Sequence, residues 1–136
     1  MNVLIVDDDK LARKGLIAVI DWERYGLCVV GDVQNGKKAL EFLENHPVDL
    51  VFTDIDMPEM NGLELMKICK ENYPETDFVI FSVYEDFSFA RQALRLGALD
   101  YISKIEFDPE ECDAILKKIV EKYLHDLFQN RIAFLR

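Results

Sequence analysis

Short apolar segments alternate along the chain with longer segments in which apolar residues recur every three or four positions. The short segments, bounded by polar residues, are typical of parallel strands that are buried on both faces of a sheet. The predicted strands are Asn2–Val6, Leu27–Val33, Asp49–Thr53, Asp77–Phe81 and Leu99–Ser103. Since strands alternate with helical segments and the connections are short, the pattern predicts an α/β fold with helices on both faces of a parallel sheet.

The intervening segments have the spacing and the end signals of amphipathic helices. The predicted helices are Lys10–Ile20, Gly36–Glu44, Leu63–Asn72, Phe87–Leu96 and a last helix that begins near Pro109. Asp8 or Asp9 is expected to cap the first helix, and Gly97 is expected to end the fourth. The segment Asp21–Gly26 is predicted to be a loop. The inner stripe of the first helix is expected to consist of Leu11, Leu16, Ile17 and Ile20.

The length and composition agree with one well-packed domain. The chain has 136 residues, and half of them are apolar. We expect a domain over residues 1–120 and a helical extension or linker stub over residues 121–136. The formal net charge of −10 disfavours binding of nucleic acid by this segment. No apolar stretch has the length of a membrane span, and Asp7 interrupts the first one too early for a signal peptide.

The three cysteines give a further indication of the compartment. Cys28, Cys69 and Cys112 are widely spaced and odd in number, so they form neither a metal motif nor a disulfide framework. We expect them to be small buried hydrophobic residues in a reducing cytosol, which indicates a cytoplasmic protein.

Four of the predicted strands are followed by side chains that bind metal ions or phosphate. These are Asp7 and Asp8 after the first strand, Asp54 after the third, Ser82 after the fourth and Lys104 after the fifth. Because ligands bind at the carboxyl ends of the strands in open α/β sheets, we expect these side chains to meet at one edge. Three acids, a hydroxyl group and an ammonium group would then share one site.

Such a site is suited to phosphoryl transfer. Carboxylates are ligands of Mg²⁺, and beside the metal one of them can act as a nucleophile toward a phosphoryl group. Lys104 would neutralise the transferring oxygens, and the Ser82 hydroxyl would donate a hydrogen bond. Taken singly, Asp8 or Asp9 is a helix cap and Asp54 is a turn residue. The coincidence of four strand ends favours the phosphoryl-transfer interpretation.

The same residues lie in longer motifs that resemble the receiver domains of two-component response regulators, which are CheY-like in fold. The resemblance covers about residues 2–120. The motifs are Val6-Asp7-Asp8-Asp9, Thr53-Asp54-Ile55-Asp56-Met57-Pro58, Asn61-Gly62, Ser82 and the segment Leu96–Lys104. Two further segments, Asp21–Gly26 and Tyr84–Ala90, resemble the subgroup whose receivers precede AraC-type DNA-binding domains.

The resemblance implies a doubly wound, five-stranded sheet of order 2-1-3-4-5 with five helices, the last of which is extended here. It implies a phosphorylation-dependent signalling switch rather than an enzyme, with Asp54 accepting a phosphoryl group from a sensor histidine kinase. Mg²⁺ would be held by the side chains of Asp8 and Asp54, by the main-chain carbonyl of Asp56, and through water by Asp7. Lys104 would pair with the phosphoryl oxygens.

The resemblance also implies how the signal leaves the site. Ser82 would move toward the phosphoryl group, and Tyr101 would turn inward. This would remodel the face formed by the fourth helix, the fifth strand and the fifth helix, where family members dimerise. The output would be transcription, with DNA contacted only through a C-terminal domain outside this chain and with no membrane contact.

Three residues depart from the family pattern or add to it. Ile105 follows Lys104 where the family has Pro in a cis bond; a cis bond before a non-proline residue costs roughly 2.5–4 kcal/mol, so a trans bond and a shifted loop are expected. Val83 replaces a small residue and is expected to narrow access to Asp54. Asp56 adds a carboxylate that either strengthens Mg²⁺ binding or repels an attacking hydroxide.

Two other functions and two interpretations of the last helix stay open. Asp54-Ile55-Asp56 resembles the D-x-D motif of haloacid-dehalogenase-type phosphatases, although that motif normally follows the first strand. A pseudo-receiver that binds a partner without phosphorylation ranks second to the switch.

His125 on the last helix is expected to be a surface or packing residue rather than a phosphodonor. The last helix is either a linker stub or a seam with a partner helix, formed by Val120, Leu124, Leu127 or Phe128, and Ile132 or Leu135.

Overall fold

The sheet has five parallel strands, as predicted. The computed structural model describes residues 1–83, 87–105, 108 and 112–135. The strands are β1 (Asn2–Val6), β2 (Cys28–Val33), β3 (Leu50–Thr53), β4 (Asp77–Ser82) and β5 (Asp100–Ser103). They pair in the order β2-β1-β3-β4-β5, which confirms the predicted order.

Five α-helices connect or follow the strands. They are α1 (Lys10–Val19), α2 (Gly36–Asn45), α3 (Gly62–Asn72), α4 (Phe87–Arg95) and α5 (Cys112–Leu135). The side chain of Asp9 caps α1, and two asparagines, Asn35 and Asn61, cap α2 and α3. After α4, Gly97 adopts a positive φ of 96°, a conformation that favours glycine, and confirms the predicted stop. The predicted start of α5 near Pro109 lies outside the described residues.

The core consists of two layers, one on each face of the sheet. Alternate residues of one strand point to opposite faces, and β1 shows this clearly. Leu4 and Val6 pack with residues of α2, α3 and α4 on one face. Val3 and Ile5 pack with residues of α1 and α5 on the other face. Both faces of the sheet are therefore covered, as the apolar strands predicted.

The predicted inner stripe of α1 is wrong at one position. The side chain of Leu11 is 83% exposed, whereas Leu16 and Ile20 are buried and Ile17 packs against the same core layer. Leu11 lies five residues before Leu16, which is a rotation of about 140° around a helix of 3.6 residues per turn. Arg13, three residues before Leu16, is buried on the inner face instead.

The prediction that the cysteines are buried is correct for one residue and wrong for another. Cys69 is buried in the core layer formed with α2, α3 and α4. Cys28 is exposed because it begins β2, a strand at the edge of the sheet. The side chain of Cys112 lies outside the described residues.

The predicted loop Asp21–Gly26 contains a short 3₁₀ helix, Trp22–Tyr25. The Trp22 ring packs edge-on against Phe52, with 5.4 Å between the ring centroids.

The long last helix joins the domain only along part of its length. Leu116, Ile119 and Tyr123 of α5 are buried in the core layer beside α1. Asp113, near the start of α5, accepts a hydrogen bond of 2.5 Å from the Tyr25 hydroxyl. Residues 124–129 are exposed. Among the described helices, none is long and apolar enough to span a membrane.

Candidate functional site

The predicted site residues converge at the carboxyl edge of the sheet. In the strand register Val6 lies beside Thr53, so the residues that follow them, Asp7 and Asp54, emerge side by side. One carboxylate oxygen from each of Asp7, Asp8 and Asp54 can be chosen so that all three lie within 4.8 Å of one another. Lys104, which follows β5, reaches the same cluster. The edge therefore holds three acids and one cation, as the sequence predicted.

Asp54 is held firmly at the end of β3. Asp54 is only 6% exposed, and its main-chain N–H donates a hydrogen bond of 2.9 Å to the Val6 carbonyl. One carboxylate oxygen, Oδ1, accepts from the N–H of Ile55 at 2.7 Å, and Oδ2 accepts from Lys104 Nζ at 3.1 Å. The carboxylate is thus fixed by two donors and has a defined orientation at the rim of the sheet.

Asp7 and Lys104 form a close ion pair beside Asp54. Lys104 Nζ donates to Asp7 Oδ2, and the N–H of Asp9 donates to Asp7 Oδ1 at 2.9 Å. Burial raises the pKa of the Asp7 carboxyl above its usual value, and the Asp54 charge acts in the same direction; the hydrogen bonds from Lys104 and Asp9 oppose the rise and are outweighed.

The ammonium group of Lys104 is stabilised as a cation in this position. Burial by itself would lower the pKa of Lys104, but the hydrogen bond to Asp7 and the charges of both acids outweigh it. The net effect raises the pKa of Lys104 above its usual value. The cluster thus has a fixed positive charge where the oxygens of a transferred phosphoryl group would need one.

The acids have the composition of a site for a hard divalent cation. Three carboxylates in mutual reach supply oxygen ligands only, which suits Mg²⁺. Asp7 and Asp54 are buried and Asp8 is exposed, so the cluster opens to solvent on one side. The side chain of Asp56 is exposed and does not join this cluster of carboxylates. The predicted role of its main-chain carbonyl stays a prediction.

Ser82 and Tyr101, the residues of the predicted switch, lie on β4 and β5. Ser82 is fully buried at the end of β4, and its main-chain carbonyl accepts from the N–H of Lys104 at 2.9 Å. Tyr101 is half-buried on β5 and packs against the core layer beside α4. Their movement stays a prediction.

The structure tests one of the two predictions about the neighbouring loops. The bond between Lys104 and Ile105 is trans, as expected. Val83 is exposed next to Ser82, and the effect of its side chain on access to Asp54 stays a prediction.

Sequence reasoning missed two residues that shape this site. Arg13, assigned to no role, donates from Nη1 to the main-chain carbonyl of Asp7 at 2.6 Å. Gly62 was part of a motif, but its closeness to Asp54 was not foreseen: a Cβ there would lie 2.2 Å from the Asp54 carbonyl oxygen. The sequence did carry a signal for Arg13, because this charged residue lies three positions before Leu16, at the spacing of the inner stripe of α1.

The molecule is thus a doubly wound α/β domain with an acid cluster and a lysine at the carboxyl edge of its parallel sheet. Comparison with known families makes the assignment specific, because the family described as "Response regulator receiver domain" matches residues 3–118. The chain belongs to this family, which confirms the predicted resemblance. It is a family of signalling domains and not of conventional enzymes.

Individual relatives agree with the subgroup that the sequence suggested. The transcriptional regulatory protein YesN of Bacillus subtilis is 29% identical over 135 residues, a match that covers 99% of this chain and 37% of YesN. The transcriptional regulatory protein HptR of Staphylococcus aureus is 31% identical over 129 residues, covering 95% of this chain and 50% of HptR. The chain thus spans half or less of the length of these relatives.

Solved structures show the same fold. The receiver domain of the response regulator AraT from Geobacillus stearothermophilus is 36% identical, with a TM-score of 0.82 and coverage of 93% of this chain and 97% of that one. A two-component AraC regulator from Clostridium phytofermentans is 33% identical, with a TM-score of 0.74 and coverage of 95% and 98%. CheY in a CheX–CheY–BeF₃–Mg²⁺ complex from Borrelia burgdorferi is 25% identical, with a TM-score of 0.76 and coverage of 90% and 89%.

Proposed function

We propose that this chain is a phosphorylation-dependent switch in which Asp54 accepts a phosphoryl group from a sensor histidine kinase. The observation that carries the proposal is the surroundings of the Asp54 carboxylate, which accepts a hydrogen bond from Lys104 and has an oxygen within 4.8 Å of oxygens of Asp7 and Asp8. A nucleophile, a cation for the phosphoryl oxygens and oxygen ligands for a metal are then within reach of one phosphorus atom. Positioning and electrostatics of this kind suffice for phosphoryl transfer.

The transfer would form one bond and break another. A carboxylate oxygen of Asp54 would form a P–O bond as the P–N bond to the kinase histidine breaks, and the electron pair of that bond would return to the imidazole nitrogen. Lys104 now donates a hydrogen bond to Asp54 Oδ2, and after the transfer it would donate to the new phosphoryl oxygens instead. The Ser82 hydroxyl would donate a further hydrogen bond to those oxygens.

Mg²⁺ is the cofactor that fits the acids. Asp8 and Asp54 would hold it through side chains, Asp56 through its main-chain carbonyl and Asp7 through water. The metal would supply charge neutralisation for the phosphoryl oxygens. The Borrelia CheY complex contains BeF₃ and Mg²⁺, and its receiver fold supports the same cofactor for this chain.

The signal would leave through the face formed by α4, β5 and α5. Ser82 would follow the phosphoryl group, and Tyr101 would move inward against the core layer beside α4. The phosphorylated protein would then pair with a second copy, either through this face or through the exposed residues Leu124, Leu127 and Phe128 of α5. Because YesN and HptR are transcriptional regulators, we propose transcription as the output, with DNA bound by a further domain outside this chain.

The kinase would approach from the side of α1. Leu11 is 83% exposed three residues after Asp8, and it offers an apolar contact beside the acceptor. We place this exchange in the cytoplasm, where a histidine kinase has access to its own phosphoryl donor.

The proposal can be tested with acetyl phosphate as a small phosphoryl donor. Incubation with Mg²⁺ is expected to add the mass of one phosphoryl group, and Asp54→Ala should abolish the gain. Asp56→Asn is a matched control, because it removes the neighbouring carboxylate but keeps the main-chain carbonyl; it should still be phosphorylated. Absence of any mass gain in the wild-type protein would favour a pseudo-receiver, and steady turnover of an added phosphoester would favour a phosphatase.

A further inference from the structure

The main chain of Asp7 is held more tightly than a residue at the end of a strand requires. Its N–H donates to the Val33 carbonyl of the neighbouring strand at 3.1 Å. Its carbonyl oxygen accepts from Arg13 Nη1 at 2.6 Å, and both carboxylate oxygens accept hydrogen bonds from Asp9 N–H and Lys104 Nζ. Every polar group of Asp7 therefore has a donor or an acceptor.

Arg13 makes this contact from a buried position on α1. Its side chain is 10% exposed, and a second donor, Nε, forms an ion pair with Asp32 Oδ2 on β2 at 2.9 Å. The guanidinium group therefore links α1, the end of β1 and β2. A planar guanidinium group presents its donors in a fixed fork, so Arg13 makes the two contacts in one defined geometry, whereas the donors of a lysine ammonium group rotate.

Asp32 is well suited to orient Arg13. It also accepts from Lys14 Nζ at 3.1 Å, so two cations from α1 converge on one carboxylate. Burial acts to raise the pKa of Asp32, but the hydrogen bonds from Arg13 and Lys14 outweigh it and lower the pKa below its usual value. The charged form of Asp32 is therefore favoured, and Arg13 faces a permanent anion.

The carbonyl that Arg13 holds belongs to the peptide between the first two acids of the site. Rotation of this peptide would redirect the carboxylate of Asp8, which is exposed to solvent. With the Asp7 carbonyl fixed, the backbone that carries Asp8 is fixed as well. Residues that orient metal ligands in this way typically change metal affinity about 10–100-fold when they are removed.

We propose that Arg13, oriented by Asp32, is a positioning residue that fixes the peptide between Asp7 and Asp8 for binding of Mg²⁺. The inference rests on the proposed function, since it concerns the same metal site. It assigns to α1 and β2 a part in that site, although neither Arg13 nor Asp32 belongs to the acid cluster. Arg13 acts on the metal only through the main chain of Asp7.

The test separates metal affinity from general stability. Thermal unfolding of the wild-type protein, Arg13→Gln and Lys14→Gln is measured in EDTA and over a series of Mg²⁺ concentrations. Because a ligand that binds only the folded state stabilises it by RT ln(1 + [L]/Kd), the rise of Tm with Mg²⁺ reports Kd for each variant. Calorimetric titration with Mg²⁺ at a temperature where the variant is folded provides a second value.

Arg13→Gln is expected to weaken Mg²⁺ binding by about tenfold or more, beyond any loss of Tm in EDTA. Lys14→Gln is the matched control, because it removes one positive charge and one Asp32 contact but leaves the Asp7 carbonyl bonded. It should lose much less Mg²⁺ affinity than Arg13→Gln does. Asp32→Asn leaves Arg13 in place but weakens the contact that orients it, so it should show an intermediate loss of Mg²⁺ affinity. If Arg13→Gln does not fold, the Mg²⁺ affinity of Asp32→Asn tests the inference.

Two results would overturn the inference. An unchanged Mg²⁺-dependent rise of Tm in folded Arg13→Gln, or in Asp32→Asn where only that variant folds, would reduce Arg13 to a structural residue. An equal loss of affinity in Lys14→Gln would assign the effect to charge alone. A wild-type protein whose Tm does not respond to Mg²⁺ would contradict the metal part of the proposed function itself, and that outcome is distinct from the other two.

Discussion

Gly62 shows how a single residue can determine the position of the acceptor. It begins α3, and its N–H donates to the Ile55 carbonyl at 2.9 Å. A Cβ at this position would lie 2.2 Å from the Asp54 carbonyl oxygen and 3.1 Å from Ile55 Cα. Because these are main-chain atoms, no rotation of a side chain can relieve the clash.

We therefore predict that Gly62→Ala displaces the main chain of Asp54. The free energy of unfolding should fall by about 1–3 kcal/mol, which is typical of an added methyl group in a filled space. Phosphorylation of Asp54 by acetyl phosphate should slow as well. Urea unfolding and the rate of mass gain measure the two effects.

Gly15→Ala is the control for the same chemical change. Gly15 lies in the middle of α1, and nothing lies within 4 Å of a Cβ placed there. Alanine at an open helical position is expected to stabilise the protein by about 0.5–1 kcal/mol. Similar effects of the two substitutions would contradict the argument from close approach.

The contrast between Asp54 and Gly62 explains what the sequence could predict at this scale. Asp54 directly follows an apolar strand, and the strand pattern alone places it at the carboxyl edge. The closeness of Gly62 to Asp54 depends on the path of the loop between β3 and α3, where Glu59 adopts a positive φ of 68°. No periodic pattern describes such a loop.

Elements were predicted more accurately than their mutual contacts. The strands and helices differ from prediction by at most one residue at the ends that are described, because apolar spacing and caps are local signals. The partnership of Arg13 with Asp32 depends on a register shift of β1 against β2 between Val3 and Leu4. After the shift Asp32 pairs with Ile5, whose side chain faces α1, and a one-residue difference would turn Asp32 to the other face.

The packing of α5 beside the start of β4 creates a pH-dependent contact between two elements. Burial raises the pKa of Asp77 on β4 to about 6, and the charge of Asp126 on α5 adds to the rise. Asp49 and Glu75 belong to the same acidic region, since both raise the pKa of Tyr123 on α5, where burial is the larger cause. Asp77 is thus more easily protonated in the folded state than in the unfolded chain.

We predict that stability falls as the pH rises through the interval from about 4 to about 6. In that interval the folded state binds more protons than the unfolded state, so the free energy of unfolding decreases with pH. Asp77→Asn should therefore raise Tm at pH 7.5, by about 2–4 °C once solvent access to this half-buried group is taken into account, and should leave Tm unchanged at pH 3.5.

Asp126→Asn separates the two causes of the shift. It removes the repulsion but leaves Asp77 buried, so it should raise Tm at pH 7.5 by less than Asp77→Asn does. Calorimetric scans at both pH values measure the difference. A rise of Tm that is equal at pH 3.5 and 7.5 in Asp77→Asn would show that packing, and not ionisation, accounts for the change.

For the molecule as a whole, an exposed apolar surface on the second half of α5 bears on assembly. Leu124, Leu127 and Phe128, here called the terminal patch, are all exposed, and Phe128 is 60% exposed. The chain has a formal net charge of −10, so two copies repel each other electrostatically. An apolar contact between copies would oppose this repulsion. Residues three and four apart on a helix share a face, so the patch is one continuous surface. Of the predicted seam, Val120 packs against the core layer beside α1 instead, and the side chains of Ile132 and Leu135 lie outside the described residues. That the exposed positions contact a partner helix stays a prediction.

We predict that the terminal patch contributes to a dimer of the phosphorylated protein. In a two-fold dimer each copy presents the same surface, so one substitution changes the interface twice. Phe128→Glu removes an apolar ring from each copy and adds two negative charges, and it should raise the dimer dissociation constant at least tenfold, which corresponds to about 1.4 kcal/mol. Sedimentation equilibrium with and without acetyl phosphate measures the constant. Val19→Glu introduces the same charge at an exposed position at the far end of α1 and should leave dimerisation unchanged. A phosphorylated Phe128→Glu protein that dimerises as tightly as the wild type would instead assign the interface to the face formed by α4, β5 and α5.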